Sequence, residues 1–411
     1  MLKAITAAFG LGATAFAARI AGRIAGPFAA VVAAGLLALS PTWAFSQVSG
    51  MEVCFTGCLL LAAWDTERHA GPLFALACLG RPEVAVFAPL IVWRSGWRSM
   101  VAPALAAALW AAVNMGITGL PLPATFYAKS IPFDARRLPL LGRVLWESWP
   151  WLGIGCGPML VLLAVGRGLQ RRRWELPLAT GLALAFLAVI AGFRLLSPDS
   201  TSFYFLRYNL PVEPVLAVGV AVGAADVPAR WRWTLALVGT ALIAVTVPSM
   251  TLRRTLYAWN CQNIEEMNGA AARWIAANTP RDAVVASVDA GLVRYIGERR
   301  TLDIVGLNHH ALLFDHATWN AILSNPAAMN RWMKDQGADW LVVFPNLLPF
   351  TQKGAATAAA FEVVHRYSSQ NYTVAGQEQN LLMVLHRREM GAQAGDGATL
   401  EPPRPLDPAR P

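Results

Sequence analysis

Apolar blocks close to the length of a membrane crossing are the feature that most constrains this chain. They run from Pro27 to Phe45, Met100 to Gly119, Trp151 to Leu169, Leu176 to Leu196, Asn209 to Ala225 and Trp233 to Met250. A bilayer's hydrocarbon core, about 30 Å thick, asks for about 20 such residues per helix. Two further blocks are less regular: Met51 to Trp64 is short, and Pro72 to Trp93 is interrupted by Arg81, Pro82 and Glu83. With 55% apolar and 14% charged residues, the chain lies outside the range of ordinary soluble proteins. The expected fold is a polytopic α-helical membrane bundle of about 8–10 membrane segments, over residues 1–250. A small C-terminal extracytoplasmic α/β domain is expected over 251–389, and a disordered tail over 390–411.

Basic residues orient such a bundle, because arginine and lysine in short loops are retained on the cytoplasmic side. Arg19 with Arg23, Arg94 with Arg98, Arg167 with Arg171 to Arg173, and Arg230 with Arg232 fall in alternate connections. The intervening stretches, Ser46 to Glu52, Leu120 to Pro150 and Ser197 to Tyr208, then lie outside, together with everything after Thr251. This holds whether residues 72–93 make one crossing or residues from 51 onward make three short ones. The same bias accounts for most of the net charge of +9, so nucleic-acid binding gains no support. Four of the five cysteines, Cys54, Cys58, Cys78 and Cys156, sit in apolar blocks, and no disulfide framework follows.

The N-terminus is awkward for this topology. Met1 to Ala18 is apolar with an early Lys3 and ends in small residues, as a cleavable signal peptide does. If Arg19 and Arg23 are cytoplasmic, the first segment enters from outside. A missing upstream helix and external loop would remove the difficulty; an N-out start or a cleaved signal would also do so.

Beyond Thr251 the pattern becomes globular. Ile264 to Asn278 reads as an amphipathic helix presenting Ile264, Met267, Ala271, Trp274 and Ile275 on one face. Strand-like runs follow at 283–288, 301–305, 340–344, 361–367 and 381–386, with a helix at 327–336, a small α/β layer. His309, His310 and His316 with Asp303 and Asp315 match no strong metal template, and Asp289 with Gly291 reads as a strand-end turn.

Ionisable groups in or beside lipid are costly unless paired or wetted, so they mark candidate sites. Four clusters qualify. SGME ends at Glu52, which either binds a ligand hydroxyl or a neighbouring arginine, or caps the helix that follows. RPE places Arg81 and Glu83 around a helix-breaking proline, either as a structural ion pair or with Arg81 facing a phosphate. LPATFYAK puts Phe126, Tyr127 and Lys129 at headgroup depth, as a phosphate contact or as an aromatic belt with a snorkelling lysine. FLRYNLPVEP carries Arg207, Tyr208 and Glu213, with Arg207 on the side that the positive-inside bias disfavours.

In this order the four clusters resemble the motifs of bacterial polytopic glycosyltransferases of the GT-C class, which use polyprenyl-phosphate sugars. Family members show SG(M/L)E, RP(E/D), P-x-TFYAK-like and R-x-x-x-P-x-x-P elements, and the resemblance extends across most of the chain. AARWIAANTP, VASVDAG and RRTLDIVGL are similar to the periplasmic domain of such proteins. The resemblance implies a multi-pass protein of the bacterial cytoplasmic membrane. It would transfer sugar from a polyprenyl-phosphate donor to an envelope glycan, lipid or protein acceptor on the extracytoplasmic side. Carried over, Arg81, Lys129 and Arg207 (with Tyr208 beside it) become phosphate contacts, while Glu52 and Glu83 orient those cations or sugar hydroxyls. The family's general base, an aspartate in the first external loop, has no counterpart here; Asp134 and Asp199 are isolated. No catalytic residue is therefore assigned. A divalent cation would suit the chemistry, but no site for one is evident. The alternative class is a non-catalytic scaffold or a transporter that binds lipid-linked saccharide. A transporter would be expected to show repeated halves, and none is visible.

Overall fold

The computed structural model describes residues 2–123, 127, 156–192, 210–345, 354–370 and 381–389. Its chain divides into two units, Met1–Pro123 with Lys129–Tyr257, and Ala124–Ala128 with Ala258–Pro411.

Small residues and helix breakers shape the first unit. Helix α1 (Leu2–Ala25) buries Gly10, Ala13, Ala17 and Ala21, a small-residue face that lets α2 and α4 approach closely. Gly26, at φ 88°, turns the chain into α2 (Pro27–Ala38). The block from Pro27 to Phe45, expected as one crossing, is instead bent by 65° between α2 and α3 (Pro41–Val48). The cause is local: Pro41 cannot continue the preceding ladder, and the Ser40 hydroxyl accepts the Trp43 amide at 3.1 Å as an N-cap. The uncertain stretch from residue 51 becomes three short helical segments. These are α4 (Val53–Asp65), α5 (Ala70–Gly80), and a 3₁₀ turn at Pro82–Phe87 leading into α6 (Ala88–Ser95). Four helices follow in the described part of the unit: α7 (Val101–Thr118), α8 (Cys156–Gln170), α9 (Glu175–Gly192) and α10 (Glu213–Ala225). Last, α11 (Arg232–Ile264) runs on past Pro248 and past residue 250, where hydropathy alone had placed the domain boundary.

Length and apolarity alone qualify three helices to cross a membrane, or four if the bent pair is one crossing. Five further apolar helices are shorter, which is fewer full-length crossings among the described residues than the eight to ten segments expected. Hydropathy blocks merge a helix with its apolar flanks: Asn209 to Ala225 looks like 17 residues, but the helix starts only at Glu213. A 13-residue helix reaches about 20 Å, two thirds of a hydrocarbon core.

The unit has two distinct ends. At one, Thr6 of α1 donates to the Gln47 carbonyl at 2.8 Å, and Tyr257 donates to the Val48 carbonyl at 3.0 Å. At the other, Arg19 pairs with Asp65 at 2.9 Å, Arg94 with Glu67 at 3.7 Å and Arg167 with Asp226 at 3.0 Å. The basic connections read from the sequence thus gather at one end, and Glu52 and Arg81 stand at the opposite one.

In its described residues the second unit is a five-stranded mixed sheet with helices on both faces. Its strands are β1 (Val284–Ser287), β2 (Arg300–Asp303), β3 (Trp340–Val343), β4 (Phe361–Ser368) and β5 (Leu381–Arg387). They lie in the order β2-β1-β3-β5-β4, with β1 parallel to β2 and β3, and β5 antiparallel to β3 and β4. Alternation decides the faces. Ala286, Leu341, Val343 and Leu385 meet Met329 and Met333 of the helix Pro326–Asp335 on one side. Val285, Val342 and Val384 meet Met267, Ala271 and Ile275 on the other. That second set is the face read from the amphipathic pattern, except that Ile264 stands outside the cluster. A π-helical turn at Glu265–Gly269 precedes α12 (Ala270–Asn278) and shifts the phase of the residues before it. The proposed tail, Gly391 to Pro411, lies outside the described residues.

Candidate functional site

Pro82 makes the site. It ends α5 at Gly80, leaving Arg81 extended at φ −150° with its side chain turned back into the unit. Thr56 of α4 permits the close approach: a Cβ on Gly80 would stand only 2.7 Å from its hydroxyl, so only glycine seats the α5 end there. The Arg81 side chain is 4% exposed, and its two terminal nitrogens split between Glu52 Oε1 at 3.2 Å and Glu83 Oε1 at 3.4 Å. One guanidinium thus spans the end of α4 and the start of the 3₁₀ turn. Among the described residues, two carboxylates thus face one cation. Glu52 and Glu83 are partly exposed, at 31% and 23%, and so form the reachable rim around a buried cation. The second Glu83 oxygen, Oε2, is buried and accepts no hydrogen bond among the described residues. Such an acceptor is costly to leave unfilled.

A second polar group lies at the same end. Glu213, fully buried at the start of α10, accepts hydrogen bonds from the Ser40 hydroxyl and, at 3.3 Å, from the Thr42 hydroxyl in the α2–α3 break. The chain entering α10 passes over Gly57 on α4, where a Cβ would sit 3.7 Å from the Pro211 carbonyl. Glu213 was visible inside the FLRYNLPVEP motif, and a carboxylate within an apolar block is itself a signal. Ser40 and Thr42 gave none, because nothing in a single sequence announces that a helix will break and expose its hydroxyls inward.

Of the six residues expected to bind substrate, Glu52, Arg81 and Glu83 come together; Lys129, Arg207 and Tyr208 lie outside the described residues. Tyr127 of the third motif is described, and its ring packs edge-on against Phe314 at 5.7 Å within the second unit.

In that unit the polar residues converge at the C-terminal ends of β1 and β2. Strand β1 is where the connections diverge, one to β2 beside it and the next to β3 on its other side, a common position for ligands in α/β sheets. Here the groups serve the fold. Asp303 accepts from the Val305 and Asn308 amides at 2.9 and 3.0 Å, and Asp315 caps a helix by accepting from Thr318 at 3.0 Å. Asp289 accepts from the Asn268 side-chain amide, and its own amide donates to the Ser287 hydroxyl. Burial, then the nearby charge of Asp303, pushes the Asp289 carboxyl above its usual range.

A family described as a domain of unknown function (DUF8728) matches residues 257–384, a span that begins where the second unit begins and does not reach the Arg81 cluster. No curated protein matches the chain.

Proposed function

We propose that this chain is a multi-pass membrane glycosyltransferase of about eight to ten crossings, acting on the extracytoplasmic side of the bacterial cytoplasmic membrane. It moves a sugar from a polyprenyl-phosphate donor to an envelope glycan, lipid or protein acceptor. The observation that carries the reading is the buried Arg81 gripping Glu52 and Glu83, at the end of the helical unit away from the arginine-rich connections. Apolar residues that find no cover support the membrane setting: α7 has no buried residue, and Leu105, Leu109 and Ile117 are each 65% exposed or more.

In this reading Arg81 is a positioning residue, since its terminal nitrogens already meet carboxylates. Glu83 is the acceptor-side base. The acceptor hydroxyl donates to the partly exposed Glu83 carboxylate; its oxygen attacks the anomeric carbon, and its proton passes to Glu83. The bond from that carbon to the phosphate oxygen breaks, and polyprenyl phosphate leaves with the electron pair. Lys129 and Arg207, from the motifs that resemble the family, neutralise that leaving group. Glu52 holds the other side of Arg81 and faces the sugar hydroxyls.

The test is reconstitution of the full chain in proteoliposomes with a panel of synthetic polyprenyl-phosphate sugars, reading release of polyprenyl phosphate. Turnover is expected for wild type and strongly reduced turnover for Glu83→Gln, while Lys129→Ala weakens polyprenyl-phosphate binding. Absence of turnover across the panel, with lipid-phosphate binding unchanged in Lys129→Ala, would instead support a scaffold.

A further inference from the structure

The arginine-rich end of the helical unit encloses a cavity of about 540 Å³, into which Arg23, Arg94, Arg167, Arg171, Arg172 and Arg173 converge. Glu175 and Asp226 line it too, so six cations face two carboxylates, an excess of four positive charges. The pairing is uneven. Arg23 and Arg94 share Glu175 at 2.7 and 3.5 Å, and Arg167 holds Asp226 at 3.0 Å. The side chains of Arg171, Arg172 and Arg173 are exposed and have no partner among the described residues. Positive-inside topology accounts for arginines on this side, but not for their convergence from α1, α6, α8 and the α8–α9 connection on one concavity.

Backbone geometry adds a second observation. Helix α8 ends in a Schellman turn: the Arg173 amide donates to the Gly168 carbonyl at 2.7 Å and the Arg172 amide to the Leu169 carbonyl at 3.1 Å. The left-handed position of that turn, usually glycine, is Arg172 at φ 54°. A bulky residue is strained there, and strain kept at a cavity rim points to a role for the side chain.

A third observation places the cavity at a particular depth. Trp93, which lines it, Trp97 and Trp174, close in sequence to its Arg94 and Arg173, and Trp231 and Trp233, in the basic connection that carries Arg230 and Arg232, are each about half exposed or more. Exposed tryptophans grouped at one level mark the headgroup region of a bilayer. A basic cavity between helices at that depth fits the head of an anionic lipid.

We propose that this cavity binds the phosphate of an anionic phospholipid in the leaflet at the arginine-rich end, with the free guanidinium groups of Arg171 to Arg173 closing on it. The proposal rests on the reading of the helical unit as membrane-embedded, but not on sugar transfer. The full chain, purified in detergent and examined by native mass spectrometry with equimolar phosphatidylglycerol and phosphatidylcholine, is expected to retain phosphatidylglycerol with at least about tenfold preference. Changing Arg171, Arg172 and Arg173 together to Gln abolishes the preference, while changing Arg281 and Arg300 to Gln leaves it intact. Arg172→Gly separates binding from folding: it relieves the turn and raises the melting temperature, yet lowers retention of phosphatidylglycerol. An arginine with no part in binding would raise the melting temperature without lowering retention. Equal retention of the two lipids, or a preference that survives the triple change, overturns the proposal. So does displacement of the lipid by millimolar inorganic phosphate where chloride of equal ionic strength fails, which would make the ligand a free anion. Alkaline extraction of membranes distinguishes the underlying reading: a chain released into the supernatant removes the membrane setting and this site with it, whereas a retained chain without lipid preference removes only the site.

Discussion

Among the described residues each unit buries one arginine, and the two are neutralised in opposite ways. In the α/β unit Arg299, 5% exposed, spends its donors on backbone: the carbonyls of Ala276 and Thr279 at 2.8 Å each, that of Gly297 at 3.1 Å, and the Thr279 hydroxyl at 3.2 Å. These are the C-terminal carbonyls of α12 and of the helix Ala290–Gly297, where a cation satisfies orphan acceptors and the helix dipole together. In the helical unit Arg81 meets Glu52 and Glu83, whose own capacity is not exhausted, since Glu83 Oε2 stays unfilled. A buried cation saturated by backbone is a clamp. One held by carboxylates with an oxygen to spare orients groups that can still act.

The sharpest way to break this contrast is Glu83→Gln. It keeps the volume and one hydrogen bond to Arg81 but removes the base, and transfer should fall by about 10²- to 10⁴-fold with little change in thermal unfolding. A variant with normal kcat would reduce the Arg81 cluster to a structural ion pair. Next in size is Arg299→Met, which strands the carbonyls of Ala276, Gly297 and Thr279. The α/β unit should lose about 3 kcal/mol in denaturant unfolding, with transfer per folded molecule unchanged. Loss of activity without loss of stability there would invert the assignment of the two arginines.

A smaller effect is expected from Gly223→Ala. The added Cβ would fall on the Leu160 carbonyl where α8 and α10 cross, and an overpacked crossing costs about 1–3 kcal/mol. Because Asp226 follows one turn later and holds Arg167, this change should loosen the arginine-rich end while leaving the Arg81 cluster in place, readable by selective protease sensitivity. The smallest effect is a pH dependence. Asp289 titrates above its ordinary value of 3.8 in the folded state, so the folded chain binds that proton more tightly than the unfolded chain. Its contribution to stability is present below that value and lost as pH rises through the raised one, and Asp289→Asn should flatten that stretch of the melting-temperature profile.

Periodicity made much of the second unit legible. The five strands of the described residues lie within a residue or two of the runs read from the sequence, because short, Val-rich apolar runs such as those at 284–287 and 340–343 favour buried strands. Helix lengths in the first unit were less legible. Hydropathy sums over a window and does not see that Pro41 or Pro82 ends a helix inside an apolar block. Half of the site residues named from sequence, Glu52, Arg81 and Glu83, do meet; the Arg81–Glu83 pair is local, across Pro82, whereas Glu52 comes from 29 positions earlier in the chain.

By itself, then, the sequence determined which segments exclude water, which connections carry the positive charge and where the sheet lies, because these follow from short-range pattern and from transfer energies summed along the chain. Tertiary structure alone decided that Ser40 and Thr42 would reach Glu213, that Arg81 would face two carboxylates and that six arginines would converge on one cavity. Apart from the Arg81–Glu83 pair, two positions apart, those hydrogen bonds join residues tens to more than a hundred positions apart, and their geometry is set by where helices cross and break rather than by any residue's own preference.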